Sequence, residues 1–365
     1  MAPAWMKRPR VLLRGVAAVM DVDGRRPGRY LLPMLDRLDR HPLAQRFQRL
    51  TPDQVFHVVE AGGRRCTGRF FAHSSYENRV YQLELDDDST VIGKFYRPGR
   101  WSREAILEEH AFLAELAAEE VPVAAPIALA SGQTLGEIDG ILYALFPRVG
   151  GRAPEELSDE QVRILGRLLA RVHNVGAQRP APHRVRLTPE SYGAANLEHL
   201  LAEGLRPREV RDVYAATVRA LVERIAPRFT DVPVHRIHGD CHLANLLWSP
   251  RGPVFLDFDD LLIGPAVQDV WMVVPSADAE GARQRRVLVE AYQEMRDFSP
   301  TWLRLVEPLR ALRYVHYATW IARRWADPTF QRTFAHFGTV QYWQAEIQAL
   351  REQIARIDDD QSGMG

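Results

Sequence analysis

The hydrophobic pattern changes period partway along the chain, and that change limits the available folds. "VYQLEL" (80–85) and "TVIGKFY" (90–96) alternate as half-buried strands do, and the acidic "DDDS" between them suits a hairpin turn. "SREAILEEHAFLAELAAEE" (102–120) has helical spacing, with Ser102 as N-cap, Glu104 in the first turn and Val121-Pro122 ending it. "GILYALFP" (140–147) reads as a short buried strand, and "RVGGRAP" (148–154) has the composition of a linker. Beyond it the period is helical. "DEQVRILGRLLARVHNVG" (159–176) is an amphipathic helix closed by Gly176, and "EPLRALRYVHYATWIARRWAD" (307–327) carries an aromatic stripe that suits a core. The expected fold class is therefore α+β: a small antiparallel-sheet lobe with one main helix, then a larger, mostly helical lobe.

At 365 residues the chain exceeds what one core ordinarily holds. We expect a basic N-terminal extension over residues 1–46, a sheet lobe over 47–148 and a helical lobe over 149–365. Lys and Arg number 47, as do Asp and Glu, which speaks against a chain-wide nucleic-acid footprint. The balance conceals an asymmetry, since residues 1–50 hold 11 Lys and Arg against 4 Asp. That segment is either a floppy extension or a basic arm for acidic partners. Two cysteines, Cys66 and Cys241, give neither a disulfide framework nor a zinc spacing, and fit a reducing compartment. No apolar run is long enough to span a bilayer. The nearest, "VLLRGVAAVM" (11–20), is split by Arg14 and lacks a small-residue cleavage site after it, so a cytoplasmic chain without membrane contact is expected.

The densest chemistry lies in "HRIHGDCHLANLLWSPRGPVFLDFD" (235–259). Asp240 follows His238-Gly239, Asn245 comes five residues later, and Asp257 twelve after that, at the end of an apolar run. Phosphoryl transfer from ATP needs a carboxylate near the attacking hydroxyl, magnesium on the phosphates and a cation on the nucleotide. Magnesium prefers carboxylate and carbonyl oxygens. In this reading Asp240 accepts or orients the hydroxyl proton. Asn245 offers magnesium a neutral oxygen, Asp257 supplies the principal metal carboxylate, and His238 braces the loop. The competing reading is two turn aspartates and a capping asparagine, but the two gaps and the strand-like flanks favour catalysis.

A cation is then expected upstream. Lys94 sits on an otherwise apolar strand, where burial without a partner is expensive; the alternative is a snorkelling surface lysine. Ile106, Glu109, Leu113 and Leu116 share one helix face at steps of three, four and three, whereas Glu108 lies about a hundred degrees around. Glu109 is therefore the expected partner of Lys94. "HSSYENRVYQ" (73–82) is where a phosphate-covering turn belongs, with Ser75 and nearby amides facing phosphate oxygens; a simple turn is the alternative.

"HGDCHLANLLW" with "VFLDFDD" resembles the aminoglycoside-phosphotransferase branch of the protein-kinase-like fold. "SYENRVYQ", "KFYRPGRW", "ILEEH", "EVPVAAP", "GPAVQDVWM", "EPLRALR" and "RRWADP" extend the likeness to the bacterial stress-response kinases of that branch, from about Phe47 to near Pro328. The resemblance implies a cytoplasmic, ATP- and magnesium-dependent serine/threonine kinase acting on protein substrates and on itself. It implies a proton acceptor at Asp240, magnesium at Asn245 and Asp257, an ATP contact at Ser75, and at Asp269 a structural aspartate bracing the catalytic loop. A helix-start aspartate is the other reading of Asp269. We expect a monomer. Two departures stand out: Gly239 occupies the place where protein kinases often carry an arginine, and no Ala-Pro-Glu segment follows Asp257. A small-molecule hydroxyl kinase and a non-catalytic nucleotide-binding scaffold are the competing functions. An acid-lined acceptor pocket would favour the former.

Overall fold

A computed structural model describes residues 42–73, 75–204 and 207–362. The basic extension expected over residues 1–46 lies largely outside them. Its last residues, from Pro42, already belong to a helix. The chain divides into two compact units. One comprises residues up to Trp101 with Ile127–Arg148 and Ala326–Pro328; the other comprises Ser102–Pro126, Val149–Trp325 and Thr329–Gly365. The break at Arg148 falls at the start of the expected linker. The main helix and the segment after it, Ser102–Pro126, group with the helical unit, whereas the sequence reading put them with the sheet.

The sheet unit holds α1 (Pro42–Gln48), α2 (Pro52–Glu60) and β1 (Cys66–His73), β2 (Arg79–Leu85), β3 (Thr90–Phe95), β4 (Gly136–Ile138) and β5 (Ile141–Pro147). The strands form one antiparallel sheet in the order β1-β2-β3-β5-β4. Thr51 begins α2 with a capping box, its hydroxyl taking the Gln54 N–H while the Gln54 side chain returns to the Thr51 N–H. Phe47, Val55, Val58 and Val59 from the helices pack on Leu83, Val91, Phe95, Ile141 and Leu145 of the sheet. Each such burial contributes roughly 1.5–3 kcal/mol. Alternation along β3 turns Val91 and Phe95 to this core and Lys94 to the opposite face. β1 is an exposed edge strand with a register shift between Cys66 and Phe70, and Gly68 there has φ 86°.

The helical unit contains α3 (Arg103–Ala118), α4 (Asp159–Gly176), a π-helical turn (Pro189–Ala194), α5 (Ala195–Glu203), α6 (Arg208–Ile225), α7 (Val267–Val273), α8 (Ala279–Gln293), α9 (Val306–Arg323), α10 (Pro328–Thr333) and α11 (Val340–Ser362). Two short ladders run among them: β6 (Val234–Ile237) with β9 (Leu262–Pro265), and the hairpin β7 (Leu246–Ser249) with β8 (Gly252–Phe255). Ser102 caps α3 by accepting the Ala105 N–H at 3.2 Å. Gly176 does not terminate α4 in the left-handed conformation expected of it. Ala177 caps the helix in a right-handed one, and a Cβ on Gly176 would fall 2.1 Å from the Arg236 carbonyl oxygen. That glycine serves close packing of α4 on β6. Among the described residues, no helix is long and apolar enough to cross a membrane.

Candidate active site

β6 delivers the loop that carries Asp240. At Gly239 the backbone has φ 84°, and a Cβ would sit 2.2 Å from the Asp260 carbonyl oxygen. No side chain fits here, which accounts for the glycine where an arginine often stands. The peptide is held on both sides. Asp269, fully buried on α7, takes the His238 N–H on Oδ2 and the Gly239 N–H on Oδ1, each at 2.9 Å. Gln268 donates to the Gly239 carbonyl at 3.0 Å. His173 of α4 lies 3.0 Å from Asp269 Oδ2 through Nε2, and the Tyr292 hydroxyl lies 2.9 Å from Nδ1. Burial works to raise the Asp269 pKa, but the His173 hydrogen bond and the amide donors outweigh it and hold the carboxyl below its ordinary value.

Asn245 and Asp257 flank the open end of the β7–β8 hairpin, whose last pair is Leu246 with Phe255. The Asn245 carbonyl accepts the Leu256 N–H at 2.9 Å, and the Leu256 carbonyl takes the His238 Nε2–H at 2.9 Å. Nδ1 of the same ring accepts the Asp240 N–H at 3.3 Å, so the Nε2–H tautomer is set by its two partners. Leu256 is thus pinned from both sides, and Asp257 follows it in the left-handed region at φ 55°. Asn245 Nδ2 donates to the Asp240 carbonyl at 3.0 Å. The carboxamide therefore turns its oxygen the other way. The three loops interlock, and Asp240, Asn245 and Asp257 share one end of the helical unit. Phe258, 1% exposed, packs between the Phe112 ring of α3 at 5.8 Å and the His238 ring at 4.4 Å.

The Asp240 carboxylate meets two basic side chains. Arg313 Nη2 of α9 donates to Oδ1 at 2.7 Å, and His242 Nε2 lies 3.3 Å from Oδ2. Burial would raise the Asp240 pKa, yet the Arg313 guanidinium, followed by His242, holds it well below the usual carboxylate range. Burial also opposes charge on His242, but the Asp240 carboxylate raises its pKa. The Asp240 carboxylate is thus ionised and fixed in direction. Cys241 beside it is fully buried, and burial followed by the Asp269 and Asp240 charges pushes its thiol well up, which suits an inert side chain.

Glu109, 1% exposed, accepts from Arg184 Nη2 at 3.2 Å. Arg184 also donates to the Ala105 carbonyl at 2.9 Å and to the Asp259 carbonyl at 2.7 Å, so it clamps α3 to the loop that follows Asp257. Glu108 is half-buried and accepts the His183 N–H. In the sheet unit Lys94 is 7% exposed, so it is no surface lysine; its ammonium lies 5.0 Å from the Tyr96 ring centroid and 6.0 Å from that of Phe146. Ser75 stands in the turn between β1 and β2, where its Oγ accepts the Asn78 N–H at 3.3 Å. Arg97 anchors the turn through the Tyr76 and Glu77 carbonyls at 2.9 Å and 3.0 Å. Sequence reasoning missed Arg313, His242, Arg184 and Gln268. Closeness in the chain was the signal for two of them, His242 beside Asp240 and Gln268 next to Asp269.

Among the described residues, no group of three or more His, Cys, Asp or Glu side chains forms a metal cage. Two oxygen donors, Asn245 Oδ1 and Asp257, suit magnesium all the same, because that ion is commonly held by one or two carboxylates together with substrate phosphates and water.

Replacing Arg313 by methionine keeps the stem and removes the charge. Asp240 then loses the strongest attraction holding it ionised, so its pKa rises and the protonated, inactive form appears at higher pH. We expect the acid limb of the kcat–pH profile to move upward. An unmoved limb would remove Arg313 from this role.

The braced His-Gly-Asp loop and the interlocked loops of Asn245 and Asp257 sit in a chain with the kinase-like α+β fold. The chain belongs to the phosphotransferase enzyme family, whose model matches residues 69–306. It is 39% identical over 314 residues to stress response kinase A of Escherichia coli (strain K12), covering 86% of this chain and 95% of that one. It is also 39% identical over 308 residues to the serine/threonine protein kinase RdoA of Salmonella typhimurium (strain LT2), covering 84% and 93%. Among solved structures, amicoumacin kinase in complex with AMP-PNP, Ca2+ and amicoumacin aligns with a TM-score of 0.66 at 19% identity, covering 82% of this chain and 96% of that one. A microcompartment-associated aminopropanol kinase aligns at 0.64 and 18%, covering 84% and 98%.

Proposed function

We propose that the chain is an ATP- and magnesium-dependent serine/threonine protein kinase of the stress-response type, acting on protein hydroxyls, its own included. The observation that carries this is the Asp240 carboxylate, ionised and aimed by Arg313 and His242 at the end of the unit that also presents Asn245 and Asp257. In this reading Asp240 accepts the hydroxyl proton as the acceptor oxygen bonds to the γ-phosphorus and the bond from that phosphorus to the β,γ-bridging oxygen breaks, releasing ADP. Asn245 and Asp257 hold magnesium, which when bound neutralises phosphate charge. Lys94, Glu109 and Ser75 serve the nucleotide, and Asp269 and His238 hold the loop. The names of the relatives at 39% identity support a protein acceptor. The second reading, a small-molecule hydroxyl kinase, has the solved neighbours on its side. A scaffold has no need of an ionised, braced base.

Incubation with labelled ATP and magnesium, with and without a generic protein acceptor, tests the proposal by mass spectrometry. Phosphoserine or phosphothreonine is expected on the acceptor and on the chain; label only on a small hydroxyl compound would favour the second reading. Asp257→Ala should weaken ATP binding in magnesium by at least about tenfold, roughly 1.4 kcal/mol. Titration with a fluorescent nucleotide, with and without magnesium, reads this, and unchanged affinity would take Asp257 out of the metal site.

A further inference from the structure

Three stretches singled out in the sequence, "SYENRVYQ", "KFYRPGRW" and "RRWADP", each send residues into one polar cluster of the sheet unit. Ala326–Pro328 belong to that unit although they follow α9 in the chain. Asp327, 6% exposed, accepts from Arg97 Nη2 at 3.1 Å, across 230 positions of sequence. The same Nη2 donates to the Tyr76 carbonyl at 2.9 Å, and Nε donates to the Glu77 carbonyl at 3.0 Å. The Arg97 amide donates to Asn78 Oδ1 at 3.1 Å, and the Asn78 amide donates to Ser75 Oγ at 3.3 Å. The Glu77 carboxylate lies 3.3 Å from Arg97 Nε and 3.4 Å from Arg100 Nη1. The Arg97 guanidinium also lies 5.3 Å from the centroid of the buried Phe47 ring.

We infer that the Arg97–Asp327 pair fixes the Ser75–Asn78 turn for binding the phosphates of the nucleotide, and that Asp327 is a positioning residue acting through Arg97. The inference rests on the reading of Ser75 as a nucleotide contact. Ser75 and Tyr76 are exposed, so apolar burial does little to order this turn. Polar contacts must order it, and Arg97 makes three of them. Each carbonyl shares a rigid peptide plane with the next residue's N–H. Holding the Tyr76 and Glu77 carbonyls therefore also aims the Glu77 and Asn78 amides, and the Asn78 amide in turn holds Ser75 Oγ. Backbone amides converge on an anion only while their planes stay fixed. A guanidinium donates in one plane, so its direction decides which carbonyls it reaches. Asp327 pins the Nη2 edge by a charge-assisted bond. Without it, the Glu77 carboxylate competes with the two carbonyls for the same donors.

The test uses the full-length protein with Asp327→Ala, Asp327→Asn and Arg97→Lys, titrated in magnesium with AMP-PNP and, separately, with adenosine. We expect Asp327→Ala to weaken AMP-PNP binding by about tenfold or more and adenosine binding by less than about twofold, because only the phosphates meet the turn. Arg97→Lys keeps the charge but not the planar fork, and should match it. Asp327→Asn keeps one acceptor oxygen without the charge, and should fall between. Hydrogen exchange at the amides of residues 75–78 should quicken in Asp327→Ala. In turnover assays KM for ATP should rise while kcat at saturation holds, the mark of lost binding. Thermal unfolding shows which variants are folded at the assay temperature, and those carry the comparison. Unchanged AMP-PNP affinity, equal weakening of both ligands, or unchanged exchange would overturn the inference and leave the kinase reading intact. Loss of the folded state in all three variants would overturn it too, since the pair would then sustain the whole sheet unit rather than the turn. Failure of the unaltered chain to bind AMP-PNP would overturn the kinase reading and this inference with it.

Discussion

Asp240→Asn should lower turnover by roughly 10³- to 10⁴-fold, about 4–5.5 kcal/mol of transition-state stabilisation, while nucleotide affinity stays close to that of the unaltered chain. The substitution keeps the volume, and the carboxamide oxygen can still accept from Arg313 Nη2 at the place of Oδ1. What is lost is the second anionic oxygen and the charge, hence the capacity to take the acceptor's proton. The residues proposed to hold ATP and magnesium are untouched, so a titration should still saturate. His242 provides an independent reading, because the Asp240 carboxylate is what raises its pKa. In the variant that pKa should fall, visible as an imidazole titration displaced to lower pH by NMR. Near-normal phosphoryl transfer in Asp240→Asn would show that the proton leaves by another route.

How much of this was legible depends on whether the signal was local. β2 and β3 alternate because one face meets the core while the other does not, β5 is marked by a short apolar run, and the limits of all three in the structure lie within a residue or so of those read from sequence. The cap Ser102 is local too, bonding an amide three residues on. β1 carried no such mark: an edge strand exposed along nearly its whole length has no buried face to impose a period. Gly176 looked like a helix stop because the sequence shows a glycine after an apolar run, not the Arg236 carbonyl packed where its Cβ would be. The placement of α3 with the helical unit was equally hidden. It follows from Arg184 binding Ala105, Glu109 and Asp259, and from Phe112 packing on Phe258, contacts between residues 75 or more positions apart.

The active site divides along the same line. Asp240, Asn245 and Asp257 could be proposed because their chemistry lies within one stretch of chain with short gaps. Arg313 was not, because an arginine on an amphipathic helix normally marks a solvated face, and its partner stands 73 residues away. Arg184 was hidden for the same reason, in a loop of prolines and arginines with nothing apolar to announce burial.

Asp269→Ala should cost about 3–5 kcal/mol of stability, the range for breaking a buried charge network from one side, with a fall in Tm of about 10 °C or more. The side chain is fully buried and satisfies three donors: the His238 and Gly239 amides and the His173 ring. Alanine strips all three of their acceptor inside the protein. Asparagine should do little better, because its amide group would point donors at donors. If Asp269 were only a helix-start residue, the loss would be about 1 kcal/mol and asparagine would restore it; the helix begins after Ala266, and Asp269 sits in its first turn. The pH dependence separates the two further. The folded pKa of Asp269 lies below its unfolded value of about 3.9, so its contribution is fully present above that value and fades as pH falls through the folded pKa. The stability gap between the unaltered chain and Asp269→Ala should therefore be constant at neutral pH and narrow below about pH 4. Thermal unfolding measured across that range decides the matter. A gap that is small, or that does not close in acid, would mean that the Asp240 loop is held by something other than the Asp269 carboxylate.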